Sequence, residues 1–394
     1  MDRIKPLQAA HLVSSLKNGL RRILGPGLPL IRSLRTYPER RKAEKHAARL
    51  EAVPGLSVCY LTSGFPQRPA LRTEIARGGA VKLTFLAESF PHAYPRASLL
   101  YTVSSIPHPG QAQIVRRARQ NGLKVVINQN GVAYPAWHGS GWELPNQKQR
   151  ETYTQADFIV YQSEFCQRCA EIFLGKTAAP SVILYNPVDT LHYQPAREKT
   201  PHAAPVLLLG GNQYEQYRFE NAAQTLKSVL QRLPGATLLV TGQLWGDDQS
   251  LAMEAAQNHL RKLGIAAQVR FTGSYSQEAA PGIFQSADIL IHTKYNDPSP
   301  NLISEALACG LPVVYSASGG VPELVGPEAG IGLPVEPSWE KISLPDPEQM
   351  AEAVLTVWEN QTHYAEAARQ NAVERFSLEK YVQAHRELFM RVLD

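Results

Sequence analysis

At 394 residues, with 44% hydrophobic and 19% charged content, the chain is long enough for two or three packed domains and too apolar to remain disordered. Four cysteines (Cys59, Cys166, Cys169, Cys309) do not make a secreted disulfide framework, and one Cys-x-x-Cys without a second pair does not make a zinc ribbon, so structural thiols in a reducing compartment are expected. The net charge of +5 is unevenly placed: residues 1–50 carry twelve Lys and Arg against three acids, about +9, which leaves about −4 for the rest and excludes a uniformly basic body built for nucleic acid.

That basic segment, residues 1–55, reads as an arm. Ile4, Leu12, Leu16, Leu20 and Leu24 form a stripe at helical spacing, Lys17, Arg21 and Arg22 lie off it, and Gly25-Pro26-Gly27 stops it. A second basic run covers 32–49. A basic amphipathic helix either lies on an anionic membrane surface or packs on the body of the protein. No run of 18 apolar residues exists, and cations interrupt any signal-peptide pattern. A cytoplasmic protein is expected, peripheral on the inner face of the membrane if the arm binds lipid.

From residue 56 strands alternate with helices. Residues 56–62 read as a strand, 65–79 as a loop ending in Gly78-Gly79, 80–88 as a helix, 98–104 as a strand, 111–121 as a helix and 124–128 as a strand. Strand 157–161 leads into a helix over 163–174 that holds Cys166 and Cys169, and strand 182–185 closes this half. Asn186-Pro187-Val188-Asp189 reads as a hinge. The pattern then restarts: strand 206–209, helix 219–232, strand 236–241, helix 250–264, strands 269–271 and 289–292, then a helical stretch over 347–375 and a last helix from 379. Alternation of this kind makes parallel sheets. Two α/β domains follow, 56–187 and 188–378, with helix 379–394 packing back on the first.

The most informative stretch is 296–325. It holds a carboxylate at Asp297, a Pro298-Ser299-Pro300 turn, a short helix opened by Asn301 and Leu302, and a second carboxylate at Glu305. Asn301 is expected to cap that helix, and Gly310 with Pro312 to end it before the buried strand 312–315 and a Ser-Gly-Gly turn. A turn feeding a helix N-terminus leaves N–H groups free for an anion, and flanking carboxylates can accept sugar hydroxyls. The combination suits a nucleotide-diphosphate sugar.

The frame Asp297, seven residues, Glu305, then Ala306, Ala308, Gly310, Pro312 and Val313, resembles the donor-site signature of retaining glycosyltransferases of family 4. In that family the first carboxylate is Glu; here it is Asp, one methylene shorter. The resemblance covers roughly 56–394 and implies an α/β GT-B fold, two Rossmann-like βαβ domains facing across a cleft. It implies donor contacts at Gly78 and Gly79 in the first domain. In the second it implies Gly211, Asn212, Arg218, Gly242, Ser274, Tyr275, Lys294, Ser299, Pro300, Asn301, Leu302 and Glu305. Arg218 and Lys294 are the candidate cations for the diphosphate. Asp297 would position the transferred sugar and Glu305 would take the ribose hydroxyls.

The family often has a His near Asn128-Gln129-Asn130-Gly131. This chain offers the Asn130 amide there, which can still bond a sugar hydroxyl. The loop from Tyr134 to Glu143 is rich in aromatics, and Tyr134, Trp137 and Trp142 are the acceptor-side candidates, with His138 among them as a candidate catalytic group. The implied chemistry is transfer with retention, by front-face attack in which the donor phosphate takes the acceptor's proton. It needs neither metal nor cofactor, because helix N-termini and cations stabilise the leaving group. The implied partners are a nucleotide-sugar donor and a saccharide or lipid-linked acceptor, as in cell-envelope polysaccharide or glycolipid synthesis, with no nucleic acid. Two alternatives stand beside this: a sugar-nucleotide epimerase of the same fold, and a catalytically silent glycan- or nucleotide-sugar-binding protein.

Overall fold

The structure, a computed structural model, describes residues 38, 40–70, 78–198 and 201–394. The stripe from Ile4 to Leu24 lies outside the described residues. In chain order the first lobe contains β1 (Glu51–Ala52), β2 (Val58–Leu61), β3 (Arg96–Ala97), β4 (Leu99–Val103), β5 (Lys124–Gln129), β6 (Phe158–Tyr161) and β7 (Ser181–Ile183). Five of these make one sheet in the order β2-β4-β5-β6-β7, parallel throughout. Its central strands are buried on both faces, which is why they read as unbroken apolar runs. Strands β1 and β3 form a separate two-residue pair.

The second lobe contains β8 (Val206–Leu209), β9 (Thr237–Thr241), β10 (Val269–Gly273), β11 (Ile289–His292), β12 (Val313–Ser316) and β13 (Gly330–Leu333). They form a parallel sheet in the order β10-β9-β8-β11-β12-β13. The order reverses beside β8, and ligands of open α/β sheets bind at the carboxyl ends of strands near such a reversal. Apolar clusters cover both faces of this sheet.

The lobes are joined twice. Val188 N–H donates to the Phe376 carbonyl at 2.8 Å where the outgoing and returning chains cross. Beyond that point the helix Leu378–Leu393 returns to the first lobe. There Tyr381, Leu388, Phe389 and Val392 are buried with Tyr60, Phe90 and Tyr101, as amphipathic spacing predicts.

The structure sharpens these expectations and adds two elements to them. Residues 40–47 form a helix whose Ala43 and Ala47, with Leu50, are buried against the first sheet, so this end of the basic segment packs on the body. The stretch 347–375 is two helices, Pro347–Glu359 and Gln361–Phe376, meeting at Asn360. The helix Glu143–Tyr153 and strand β13 were not expected: the first is largely polar, and the second, Gly-Ile-Gly-Leu, has low strand propensity. β13 exists because the backbone of β12 offers it a ladder. A Cβ on Gly330 would collide with Val313.

Candidate functional site

The signature residues gather at the carboxyl ends of β8, β11 and β12. Helix Asn301–Ala308 ends as expected: Gly310 has φ +70°, its N–H bonds Leu307 O at 2.9 Å, and Leu311 N–H reaches Ala306 O at 3.0 Å. Its start differs. Pro300 is the extended residue that precedes the first turn, Asn301 is already helical, and no side chain caps it. The Asn301 Oδ1 instead accepts from Asn186 Nδ2 at 3.0 Å. Asn186 also lies 3.2 Å from the carbonyl of buried Ser299. The hinge therefore grips the turn, and the first N–H groups of the helix have no side-chain partner.

Asp297 is buried just before this turn. Burial pushes its carboxyl up, but Lys294, with His292 and Arg218 behind it, outweighs that and holds the carboxyl well below the usual range. Lys294 Nζ is 3.4 Å from Oδ1 and His292 Nε2 is 3.4 Å from Oδ2. His292 is buried and burial lowers its pKa, so the Lys294 ammonium is the counter-charge at neutral pH. The Ser-Gly-Gly turn has a structural task here. Gly320 N–H donates to Asp297 O at 2.9 Å, Ser318 Oγ accepts from Asn296 N at 2.8 Å, and a Cβ on Gly319 would collide with Asp297. Asn296 itself sits at φ +52°, a left-handed turn that Asn tolerates.

Glu305 keeps part of its surface open, yet its carboxyl lies deep. Burial pushes it up to about 7, against a small opposing pull from the Tyr193 hydroxyl. Beside it the glycine turns close in. Gly211 and Gly242 have φ +75° and +79°, a Cβ on Gly210 would come within 2.8 Å of Leu302, and one on Gly242 would collide with Gly211. Asn212 Oδ1 accepts from Gln243 N at 2.9 Å. Ser274 is exposed just past β10, and Tyr275 is partly buried against the same core.

Arg218 is not an open cation. It is buried, its Nη1 donates to Asn212 O at 2.6 Å, and Glu215 Oε2 lies 3.9 Å away. It secures the loop that a ligand would meet and adds positive potential from behind. Its Nε makes no hydrogen bond, nor do Glu215 Oε2, Gln213 Oε1, Asn186 Oδ1 or the ring nitrogens of His292, although Glu215 Oε2 and His292 Nε2 keep the looser ion-pair contacts given above. Six of the nine such atoms among the described residues belong to these residues, so the unmet hydrogen-bonding capacity is concentrated here.

The first lobe closes over it. A Cβ on Gly131 would lie 3.1 Å from Pro298, Ser163 Oγ donates to Pro298 O at 2.7 Å, and Tyr134 OH donates to Asn296 O at 3.3 Å. Glu323 accepts from the N–H groups of Glu164 and Phe165 at 2.7 and 2.8 Å, so a second-lobe carboxylate caps a first-lobe helix. Asn130 is buried here, while Gly78 and Gly79 stand at the start of helix Ala80–Ser89 with Gly79 tight against Ser105.

The aromatic loop departs from expectation. Tyr134 is buried, with its ring 5.0 Å from Trp339 and 5.8 Å from Phe173, and Trp142 packs on Phe173 at 5.4 Å. Tyr134 thus bridges the lobes, Trp142 packs within the first, and neither offers an open platform. Trp137 alone of the three stands free, at 54% exposed, and it lines a small cavity of about 50 Å³ with Glu215, Tyr217 and Tyr295. His138 is exposed, with its ring 6.2 Å from that of Trp137. A larger cavity of about 500 Å³ lies at the other end of the signature helix, between Pro195, Phe284, Leu311 and Arg369, and is mostly apolar. Cys166 and Cys169 are buried, and burial pushes both thiols up, which makes them inert. Sequence reasoning missed His292, Glu323, Trp339 and Lys82. Only the last left a trace, a cation on the apolar face that Leu83 and Leu86 also occupy.

Residues 194–375 match the family described as glycosyl transferases group 1. The structure of Anabaena Alr3699/HepE with UDP and glucose superposes with a TM-score of 0.62 and 18% identity, covering 86% of this chain and 100% of that one. A glycosyltransferase from Rickettsia africae gives 0.59 at 14% identity, over 82% and 84%. The fold is GT-B. Among curated relatives, the lipopolysaccharide core biosynthesis glycosyltransferase LpsE of Rhizobium meliloti is 28% identical over 196 residues, 49% of this chain and 52% of that one. The D-inositol 3-phosphate glycosyltransferase of Mycobacteroides abscessus is 34% identical over 106 residues, 26% and 23%. The chain thus matches about half the length of these relatives or less. Among the described residues no helix is long and apolar enough to cross a membrane.

Proposed function

We propose that this protein is a retaining glycosyltransferase that moves a sugar from a nucleoside-diphosphate donor to a saccharide or lipid-linked acceptor of the cell envelope. One observation carries the reading: an ionised carboxylate, Asp297, and a protonatable one, Glu305, stand at the two sides of an uncapped helix start, with Lys294 beside them and the first lobe across the cleft. The diphosphate meets the helix N–H groups and Lys294, the ribose meets Glu305, and the transferred sugar meets Asp297. The bond from the anomeric carbon to the diphosphate breaks, the acceptor oxygen bonds that carbon from the same face, and its proton passes to the departing phosphate oxygen. No enzyme base is needed in this step. The UDP complexes of the neighbouring structures and the lipopolysaccharide role in the name of LpsE support the donor class and the acceptor class.

The test is a thermal-shift and calorimetric screen of UDP-, GDP- and ADP-sugars, followed by product analysis with saccharide and lipid-linked acceptors. A donor should raise the melting temperature by mass action, and the product should keep the donor's anomeric configuration. Nucleotide release without acceptor would favour the epimerase, and binding without turnover a silent lectin-like protein.

A further inference from the structure

Beneath the cleft floor lies a charge that the proposed reaction leaves unused. Lys82 follows Gly78-Gly79 in the first turn of helix Ala80–Ser89 and is 3% exposed. Its Nζ is 2.9 Å from Asn128 Oδ1, 3.1 Å from Asn130 Oδ1 and 2.9 Å from Gln162 Oε1, at the carboxyl ends of β5 and β6. An ammonium has three donors and no acceptor. A neutral amine would leave one of these oxygens unpaired.

The Asn128 amide is oriented from outside, its Nδ2 donating to Tyr101 OH at 3.1 Å. The Asn130 amide is oriented by Lys82, which claims its oxygen and leaves Nδ2 to donate to Ser105 Oγ at 2.7 Å. Tyr101 OH in turn meets His385 Nε2 at 3.0 Å, and the other ring nitrogen faces the Tyr381 carbonyl at 2.9 Å. His385 Nδ1 therefore carries the hydrogen, Nε2 accepts from Tyr101, and the far end of the network is closed by the last helix. Burial lowers the lysine toward about 7, the cost of a cation with no carboxylate in ion-pair reach among the described residues.

The near end is open. Ser105 is exposed, its oxygen is committed to Asn130, and its own hydrogen has no acceptor among the described residues. Gly79 has no side chain to cover it, and Gly131, next to Asn130, abuts Pro298 of the opposite lobe. We infer that Lys82 is a positioning residue for the donor: it locks the Asn130 amide so that Ser105 presents a hydroxyl hydrogen to the cleft, and its buried charge takes the bound diphosphate as counter-ion. A protein carboxylate would have cancelled that charge. Amide oxygens hold the ammonium in place and leave its field directed at the cleft.

The inference rests on the donor-site reading above, and the experiment separates the two. Uridine, guanosine and adenosine diphosphates are titrated into the full chain, into Lys82→Met and into Asn130→Asp, with melting temperature measured in parallel. If none binds the full chain, the donor-site reading fails. With one bound, Lys82→Met should weaken it about tenfold, the scale of a lost charge-assisted contact. Asn130→Asp gives the lysine a carboxylate of its own, so it should raise the melting temperature while weakening diphosphate binding. Those opposite signs are foreign to a purely structural role. Ser105→Ala, at an exposed position, keeps the proposal falsifiable should Lys82→Met not fold. It should lower turnover about tenfold at an unchanged melting temperature, and more weakly when Asn130→Asp is already present. Unchanged diphosphate affinity in Asn130→Asp, or unchanged turnover in Ser105→Ala, would overturn it.

Discussion

Glu305 ties nucleotide affinity to pH in a direction that can be worked out. Its carboxyl titrates near 7 instead of 4.5 because burial disfavours the charge and no cation offsets it. Ribose hydroxyls donate, so they bind the ionised form. Full affinity is therefore present above about 7 and is lost as pH falls through that value. Between pH 8 and pH 6 the ionised fraction drops from about nine-tenths to about one-tenth, which is a tenfold loss or roughly 1.4 kcal/mol. In the free protein the same shift opposes folding: the native state holds its proton longer than the unfolded chain, so this group's contribution declines as pH rises from about 4.5 to about 7. The assay is calorimetric titration of the preferred nucleoside diphosphate at pH 6, 7 and 8 into wild type and Glu305→Gln. The diphosphate's own titration cancels in the ratio between the two proteins. The ratio of wild-type to variant affinity should rise about tenfold from pH 6 to pH 8. A ratio that stays flat would refute the reasoning.

Asp297→Asn removes a carboxylate that Lys294 already holds ionised; turnover should collapse while diphosphate affinity changes little, and equal losses in steady-state kinetics and calorimetry would move Asp297 to the phosphate site. Glu323→Ala frees the Glu164 and Phe165 N–H groups; it should cost about 1–3 kcal/mol and enlarge the radius of gyration in small-angle scattering, and an unchanged radius would mean that other contacts hold the lobes. Deleting residues 1–35 should leave donor binding intact and abolish sedimentation with anionic vesicles, each lost cation being worth about 1 kcal/mol at the surface; a truncated protein that still sediments would remove the arm from membrane binding.

The signature helix and its C-terminal end were legible because they depend on neighbours in sequence. Asp297 and Glu305 are separated by one short element, Gly310 satisfies a local backbone need, and parallel strands buried on both faces announce themselves as apolar runs. GT-B architecture followed from that alternation and from the resemblance. Local sequence also suggested an Asn301 cap and an aromatic platform at Tyr134 and Trp142, and the resemblance suggested Arg218 as a phosphate cation; Asn186, Phe173 with Trp339, and the folded-back Asn212 loop engage these groups instead. Lys82 shows the limit most plainly. Its three oxygens come from positions 46, 48 and 80 residues away, and the Tyr101–His385 bond that ends its network spans 284. A sequence carries the period of a helix or strand, because that period is set by backbone geometry. Which polar groups meet inside depends on how two sheets and a returning helix stack, and desolvation then makes those meetings decide charge and orientation at the site.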